Sequence, residues 1–421
     1  MKQVLKYTAA FTKWLILSVL IGVVGGILGS VFHMSIDGVT LFRQSRPFVI
    51  YFLPIGGIVI ALMYKYFGAK KKVDTNRVIE SVRHNKKITL VMIPLIFVST
   101  VITHLLGGSA GREGAALQLG GSLGYNLGRL FKIKKSNIHI IVMTGMSALF
   151  AALFGTPVTA AVFSLEVTTV GIFHYAGLFP CITSSITALF VAQRFGLHPV
   201  RYTGIDFGTF SHEGVAKVIL LSLVCAFASI LFCVAIGGAE KAAKRFVPDK
   251  TVRAFAGGVL IVALTLAVGT YDYNGAGMHV IENALAGQVR PEAFALKTVF
   301  TAITIAAGFK GGEIVPAFFV GSTLGCAVAP LLGLNPGFAA AIGFVCLFCA
   351  VVNCPMASLF LSLEVFGAEG FLYFAIACSV SYLMSGNFSL YKSQRFAYSK
   401  TEDDGSDDTD AEPGSVNSAA E

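Results

Sequence analysis

Glu113 stands in the run Gly107-Gly108-Ser109-Ala110-Gly111-Arg112-Glu113-Gly114-Ala115-Ala116, which closes one apolar stretch and opens another. A second glycine-rich run, Gly311-Gly312-Glu313-Ile314-Val315-Pro316, lies about 200 residues further on. Glycines let the backbone reach positive φ and bring N–H groups close to a ligand. A helix that starts there presents unpaired N–H donors and the positive end of its dipole, a combination that favours an anion. Two such starts meeting would hold an anion without a full cation, so that the ion can also leave. The plainer alternative is that the glycines only let helices pack closely, as small residues do in membranes. Their recurrence beside a carboxylate favours the anion reading.

The elements that must position these runs are apolar helices. The 421 residues are 55% hydrophobic and 13% charged, with 45 glycines and one tryptophan. Soluble domains carry about 25% charged residues, so much of this surface need not face water. Stretches 11–32, 48–66, 88–106, 215–236, 255–268, 298–309, 338–352 and 371–383 have the apolarity of spanning helices. A full span needs about 20 residues, so the shorter ones must be tilted, re-entrant or buried. The alternating pattern of a membrane β-barrel is absent from these segments. The class is an all-α polytopic membrane protein, and the lipid bilayer is its solvent.

Charge and cysteine fit that class. The net charge of +9 sits in clusters at Lys2, Lys6 and Lys13, at Lys70, Lys71 and Lys72, at Arg83, Lys86 and Lys87, at Lys132, Lys134 and Lys135, and at Lys241, Lys244, Arg245 and Lys250. Such clusters read as cytoplasmic loops under the positive-inside bias, not as a nucleic-acid footprint, which needs a basic soluble domain. The basic start followed by a long apolar run lacks a small-residue cleavage site, so it reads as retained structure. All eight cysteines lie in apolar stretches. Cys346 and Cys349 share a helix face but lack the histidine or carboxylate neighbours of a metal site. No metal and no cofactor is implied. From Ser399 the chain turns acidic and polar, the composition of a disordered tail.

The membrane part repeats itself. Ser164-Leu165-Glu166-Val167 recurs as Ser362-Leu363-Glu364-Val365, each copy preceded by a proline, Pro157 and Pro355. Val78-Ile79-Glu80 recurs as Val280-Ile281-Glu282, and Gly111 and Gly124 match Gly312 and Gly325. Four landmarks in one order at nearly one spacing divide the chain into 1–200 and 201–398 as two repeats, with 399–421 as the tail. Transporters often place their substrate site where such repeats meet. Glu166 and Glu364, ionisable groups in apolar helices, are functional candidates by position. Their occurrence as a pair argues for a structural use such as capping a neighbouring helix.

Gly-Arg-Glu-Gly at 111–114 resembles the signature of the CLC chloride channel and transporter family, and the resemblance runs from the first helix to Tyr391. It implies two inverted repeats with broken and re-entrant helices, a pore in each subunit and a homodimer in the cell (inner) membrane. Glu113 would be the gating glutamate, whose carboxylate competes with the transported anion and carries the proton. Tyr391, in Ser389-Leu390-Tyr391, matches the tyrosine that closes the anion site from the cytoplasmic side. Gly111, Arg112, Gly114, Gly312, Glu313, Ile314 and Val315 fall on the family's anion loops, with Arg112 turned away from the ion. Arg112 and Glu313 take symmetric places, which suggests an ion pair between them. The family's proline after Glu-Gly is Ala115 here, and Ile314 replaces an aromatic residue.

Two further departures narrow the resemblance. The family's serine ligand falls at Asn76, with Thr75 beside it as a competitor, in the register fixed by Met278 of the second copy. The cytoplasm-side glutamate of chloride/proton exchangers falls at Val167. Both departures resemble the fluoride-exporting branch. Fluoride is small and strongly hydrated, so it needs close donors to leave water, and Asn76, Tyr391 and the helix starts supply them. The expected function is fluoride/proton antiport for export. A chloride channel or chloride/proton exchanger is the alternative, and an enzyme, which would need a nucleophile–base pair or metal cluster, is disfavoured. His104, one turn before Gly107, reads as a packing or hydrogen-bonding residue before a proton carrier. Phe318 and Phe319 read as core.

Overall fold

The computed structural model describes residues 2–67 and 74–400. The Lys70–Lys72 cluster and the acidic tail beyond Lys400 fall outside the described residues. Sixteen α-helices follow one another in two similar series. The first comprises α1 (Lys2–Ser45), α2 (Leu53–Tyr66), α3 (Thr75–His84), α4 (Met92–Leu105), α5 (Glu113–Leu130), α6 (Ile138–Phe154), α7 (Pro157–Glu166) and α8 (Leu178–Arg194). The second comprises α9 (His212–Phe246), α10 (Lys250–Val268), α11 (Met278–Leu285), α12 (Ala293–Ala307), α13 (Ile314–Leu332), α14 (Pro336–Val352), α15 (Pro355–Phe366) and α16 (Phe371–Met384).

The packing of the first series recurs in the second. α1 lies on α4, α6 and α8, and α9 lies on α12, α14 and α16; α5 pairs with α6 and α13 with α14. The series join through like elements, α2 with α10, α5 with α13 and α7 with α15. Glycine permits the closest of these approaches. A Cβ on Gly120 would stand 2.3 Å from the Gly145 carbonyl oxygen, and one on Gly321 would stand 2.1 Å from that of Gly343. Backbones this close maximise dispersion contact where lipid offers no hydrophobic drive between helices.

Among the described residues, seven helices are long and apolar enough to cross a membrane. α1 runs well beyond the expected 11–32, and at 44 residues it is about 66 Å long, more than twice the ~30 Å hydrocarbon core. It must tilt or protrude. α6, by contrast, is enclosed by other helices, and α5, α6, α8 and α13 were not among the expected spans. α5 is rich in glycine and polar residues and is buried almost throughout, so its pattern is not that of a lipid-facing span. α3, α7, α11 and α15 are too short to cross, as the broken-helix expectation requires. A short parallel pairing of β1 (Thr169–Val170) with β2 (Arg395–Phe396), unforeseen in the sequence, ties the chain's end to the segment after α7.

All eight cysteines are free, and seven are buried. Cys346 and Cys349 bond to Ser222 and to the Ala377 and Cys378 carbonyls, so they serve packing. Phe318 stacks on Phe344 at 4.0 Å between ring centroids, and Phe319 meets Tyr273, which makes both core residues.

Candidate functional site

The two glycine loops meet. Gly111 N–H donates to Gly312 O and Gly312 N–H to Gly111 O, each at 2.7 Å. This reciprocal pair sets the start of α5 against the start of α13. A Cβ on Gly312 would lie 2.4 Å from Gly114 N, so the contact is between bare backbones. Both expected uses of these glycines therefore hold at one place: they pack closely and they expose donors. The first return bonds come from Ala116 N to Arg112 O and from Ala317 N to Glu313 O, each 3.0 Å. The N–H groups of Glu113, Gly114 and Ala115, and of Ile314 and Val315, precede those bonds and lack acceptors within their helices; Pro316 has no N–H. Ile314 and Val315 are buried.

Threonines hold both loops in place, again reciprocally. Thr304 of α12 accepts from Ser109 N at 3.1 Å, and Thr103 of α4 accepts from Lys310 N at 3.2 Å. Asn274 Nδ2 donates to Gly107 O, and Gly275 N to Gly108 O. His104 is buried and lies 3.3 Å from Gly111 O through Nε2, while its own carbonyl accepts from Arg43. It ties the loop to α4, as a hydrogen-bonding residue would.

Glu113 is 1% exposed. Its carboxylate lies over the start of its own helix: Oε2 accepts from Arg112 N at 3.0 Å and Oε1 is 3.7 Å from Arg112 Nε. Oε2 is also 2.7 Å from where a Cβ on Gly111 would stand. Glu313 caps the facing side, with Oε2 3.5 Å from the Cβ position of Gly114. Two carboxylates thus flank the paired loops. The ion pair expected between Arg112 and Glu313 does not form. Arg112 reaches instead to Asp37 of α1, Nη1 to Oδ1 at 2.7 Å, because the loop pairing turns its side chain toward α1.

A second group of residues gathers at the α3 end. Asn76 Oδ1 accepts from Ser393 N at 2.9 Å, which fixes the amide so that its NH2 donors point away from that backbone. Thr75 Oγ1 accepts from Gln118 Nε2 of α5 at 2.9 Å. Two residues before Ser393 sits Tyr391, 3% exposed, its hydroxyl buried with no hydrogen-bond partner among the described residues. Gln394 holds the turn, donating to Val167 O and Val352 O and accepting from Ser389 Oγ. All the expected site residues are therefore on the start of α3, α5 or α13, or on this C-terminal turn.

Asp37, Thr103, Thr304, Gln118, Ser393 and Gln394 were not anticipated. Thr103 and Thr304 could have been found by the repeat spacing, and Asp37 as a charge in an apolar helix. Nothing in the sequence singles out Gln394.

Broken helices whose starts converge in the protein interior, in two packed series, define a membrane transport protein of the inverted-repeat class. A family model described as "Voltage gated chloride channel" matches residues 56–386, and the chain belongs to that CLC family. It is 37% identical over 395 residues to a protein named "Chloride/fluoride channel protein" from Pseudomonas syringae pv. tomato, covering 92% of this chain and 87% of that one. Among solved structures it resembles a CLC-type fluoride/proton antiporter, at 32% identity and TM-score 0.88, covering 92% of this chain and 98% of the other. A slow cyanobacterial Cl-/H+ antiporter shares the fold, with TM-score 0.76 and 18% identity over 88% of this chain and 94% of that one.

Proposed function

We propose that this protein is a fluoride/proton antiporter that exports fluoride, with Glu113 as gate and proton carrier. The observation that carries the reading is the buried Glu113 carboxylate lying at the start of α5, directly beside the Gly111–Gly312 pairing. Ionised, the carboxylate occupies the position where the N–H groups of Gly114, Ala115, Ile314 and Val315 would receive a halide. Protonated, it loses its charge and its hold on the Arg112 N–H, swings out, and an anion enters. Loss of the proton reverses the step. Asn76 and the Tyr391 hydroxyl close the anion's path at the other end. The Tyr391 O–H, buried and without a hydrogen-bond partner among the described residues, is a donor that can turn to an anion, which suits an ion as costly to dehydrate as fluoride.

The relative named for chloride and fluoride and the antiporter of like structure support anion transport, with fluoride first. The word channel in the relative's name favours passive anion conduction as a second reading. Repeats 1–200 and 201–398, a homodimer of two separate pores and residence in the inner membrane complete the proposal, and no enzymatic step enters it. Purified protein in liposomes tests it. Fluoride efflux should exceed chloride efflux and should drive proton uptake, and Glu113→Gln should abolish the proton movement. Fluoride efflux that moves no protons in the unaltered protein would establish the channel reading instead.

A further inference from the structure

A chain of charged groups leads from the surface to Glu113. Asp37, on α1, has a side chain 52% exposed; Arg112 is 14% exposed and Glu113 1%. His33, one turn earlier on α1, lies 2.9 Å from Asp37 Oδ2 through Nε2, and Asp37 Oδ1 is 2.7 Å from Arg112 Nη1. Arg112 Nε then faces Glu113 Oε1 at 3.7 Å. One guanidinium thus bridges two carboxylates, one half-exposed and one in the interior. The Glu113 contact is longer than a direct hydrogen bond, and the Asp37 contact is a full charge-assisted one. Arg112 is held by Asp37 and only leans on Glu113.

Resting on the reading of Glu113 given above, we propose that Asp37 is a positioning residue of the transport cycle: it holds Arg112 back and offsets its charge, so that Glu113 can release its place to an anion. A cation bound to Glu113 alone would keep the carboxylate ionised and seated. With Asp37 present, the guanidinium's charge is shared and its fork is anchored to α1, a helix that does not belong to the gate. Other charged or polar groups face this region. Arg43 of α1 is spent on the His104 carbonyl, and Lys297 of α12 on the Tyr273 and Gly275 carbonyls. His104 of α4 is on Gly111 O, Glu313 stands beside Gly114, and Tyr391 sits on the C-terminal turn. Asp37, with His33 behind it, is the carboxylate bonded to Arg112.

The test is fluoride flux from liposomes at a series of pH values equal on both sides. Asp37→Asn keeps the shape and an acceptor for Arg112 but removes the charge. It should move the rise of flux with falling pH toward acid by roughly half a unit to one unit, the size of a screened Coulomb effect across a few ångströms of partly wet protein. Asp37→Glu should restore the original profile. If Asp37→Asn scales flux equally at every pH, or leaves it unchanged, Asp37 is a structural residue and the inference is overturned. Should Glu113→Gln itself keep the pH dependence, the reading of Glu113 fails whatever Asp37 does, so the two failures are distinguishable.

Discussion

Glu166 and Glu364 cap each other's helices. Glu166, at the end of α7, accepts from Met356 N at 3.1 Å and Ala357 N at 2.9 Å at the start of α15. Glu364, on α15, accepts from Val158 N at 2.9 Å, Thr159 N at 2.8 Å and Thr159 Oγ1 at 2.6 Å at the start of α7. Each carboxylate satisfies N–H groups that no helix bond can reach, in a place where water is scarce. The pair locks the two series together.

Removing either cap should therefore destabilise without altering ion choice. Glu166→Ala and Glu364→Ala each strand two N–H groups at a helix start, at a cost of about 1–3 kcal/mol for each one left buried and unsatisfied. Thermal unfolding in detergent should show a lowered midpoint for both, with Glu364→Ala at least as severe because it loses three bonds. Fluoride-to-chloride flux ratios of the folded variants should stay at the unaltered value. A changed ratio would give these residues a part in the ion path.

Tyr391→Phe should separate structure from transport in the opposite way. The hydroxyl makes no bond among the described residues, so its removal leaves nothing unpaired and relieves a buried polar atom. Unfolding should be unchanged or shifted upward. Fluoride flux should fall, by up to about tenfold for one lost donor to an anion. Unaltered flux would remove the hydroxyl from the ion path.

Asn76→Ser exchanges two amide donors for one hydroxyl and cuts the bond to Ser393 N. The demand for close donors is steeper for fluoride than for a larger halide, so the fluoride-to-chloride flux ratio should fall about tenfold, the value of one charge-assisted bond. A ratio that stays put would place selectivity elsewhere, with Thr75 and Gln118 next in line.

The turn that carries Tyr391 should loosen in acid through Glu80. Ser393 Oγ donates to Glu80 Oε1 at 3.3 Å, and Lys86 Nζ lies 2.7 Å from Glu80 Oε2. The hydrogen bond from Lys86 holds the Glu80 carboxyl below its ordinary range. A carboxyl so lowered contributes stability that is present above the ordinary glutamate value of about 4.3 and is lost as pH falls through its own lower value. Amide exchange of residues 389–396 should accelerate over that acid window, and Glu80→Gln should bring the faster exchange to neutral pH.

Much of this was legible in the chain. The doubled Ser-Leu-Glu-Val motif foretold a pair of structural carboxylates, because duplicated sequence folds into duplicated surroundings, and each copy's glutamate meets the other's helix start. The Gly-Arg-Glu-Gly run marked the buried acid, because only glycine lets two backbones approach as Gly111 and Gly312 do. The ends of helices were less readable: α5 carries the glycines and polar residues that protein-lined interiors accept, and so lacks the uniform apolarity of lipid-facing spans.

Partners across the fold could not be read at all. Arg112 pairs with Asp37 and not with Glu313, and Asn76 is oriented by Ser393, over 300 positions away in the sequence. The amino-acid order by itself determined which groups could bind an anion and that the set comes twice. Which of them converge, and which neighbour claims each side chain, was decided only when α1, α5, α13 and the C-terminal turn packed together, since hydrogen bonding in a dry interior depends on distance and direction and sequence separation carries neither.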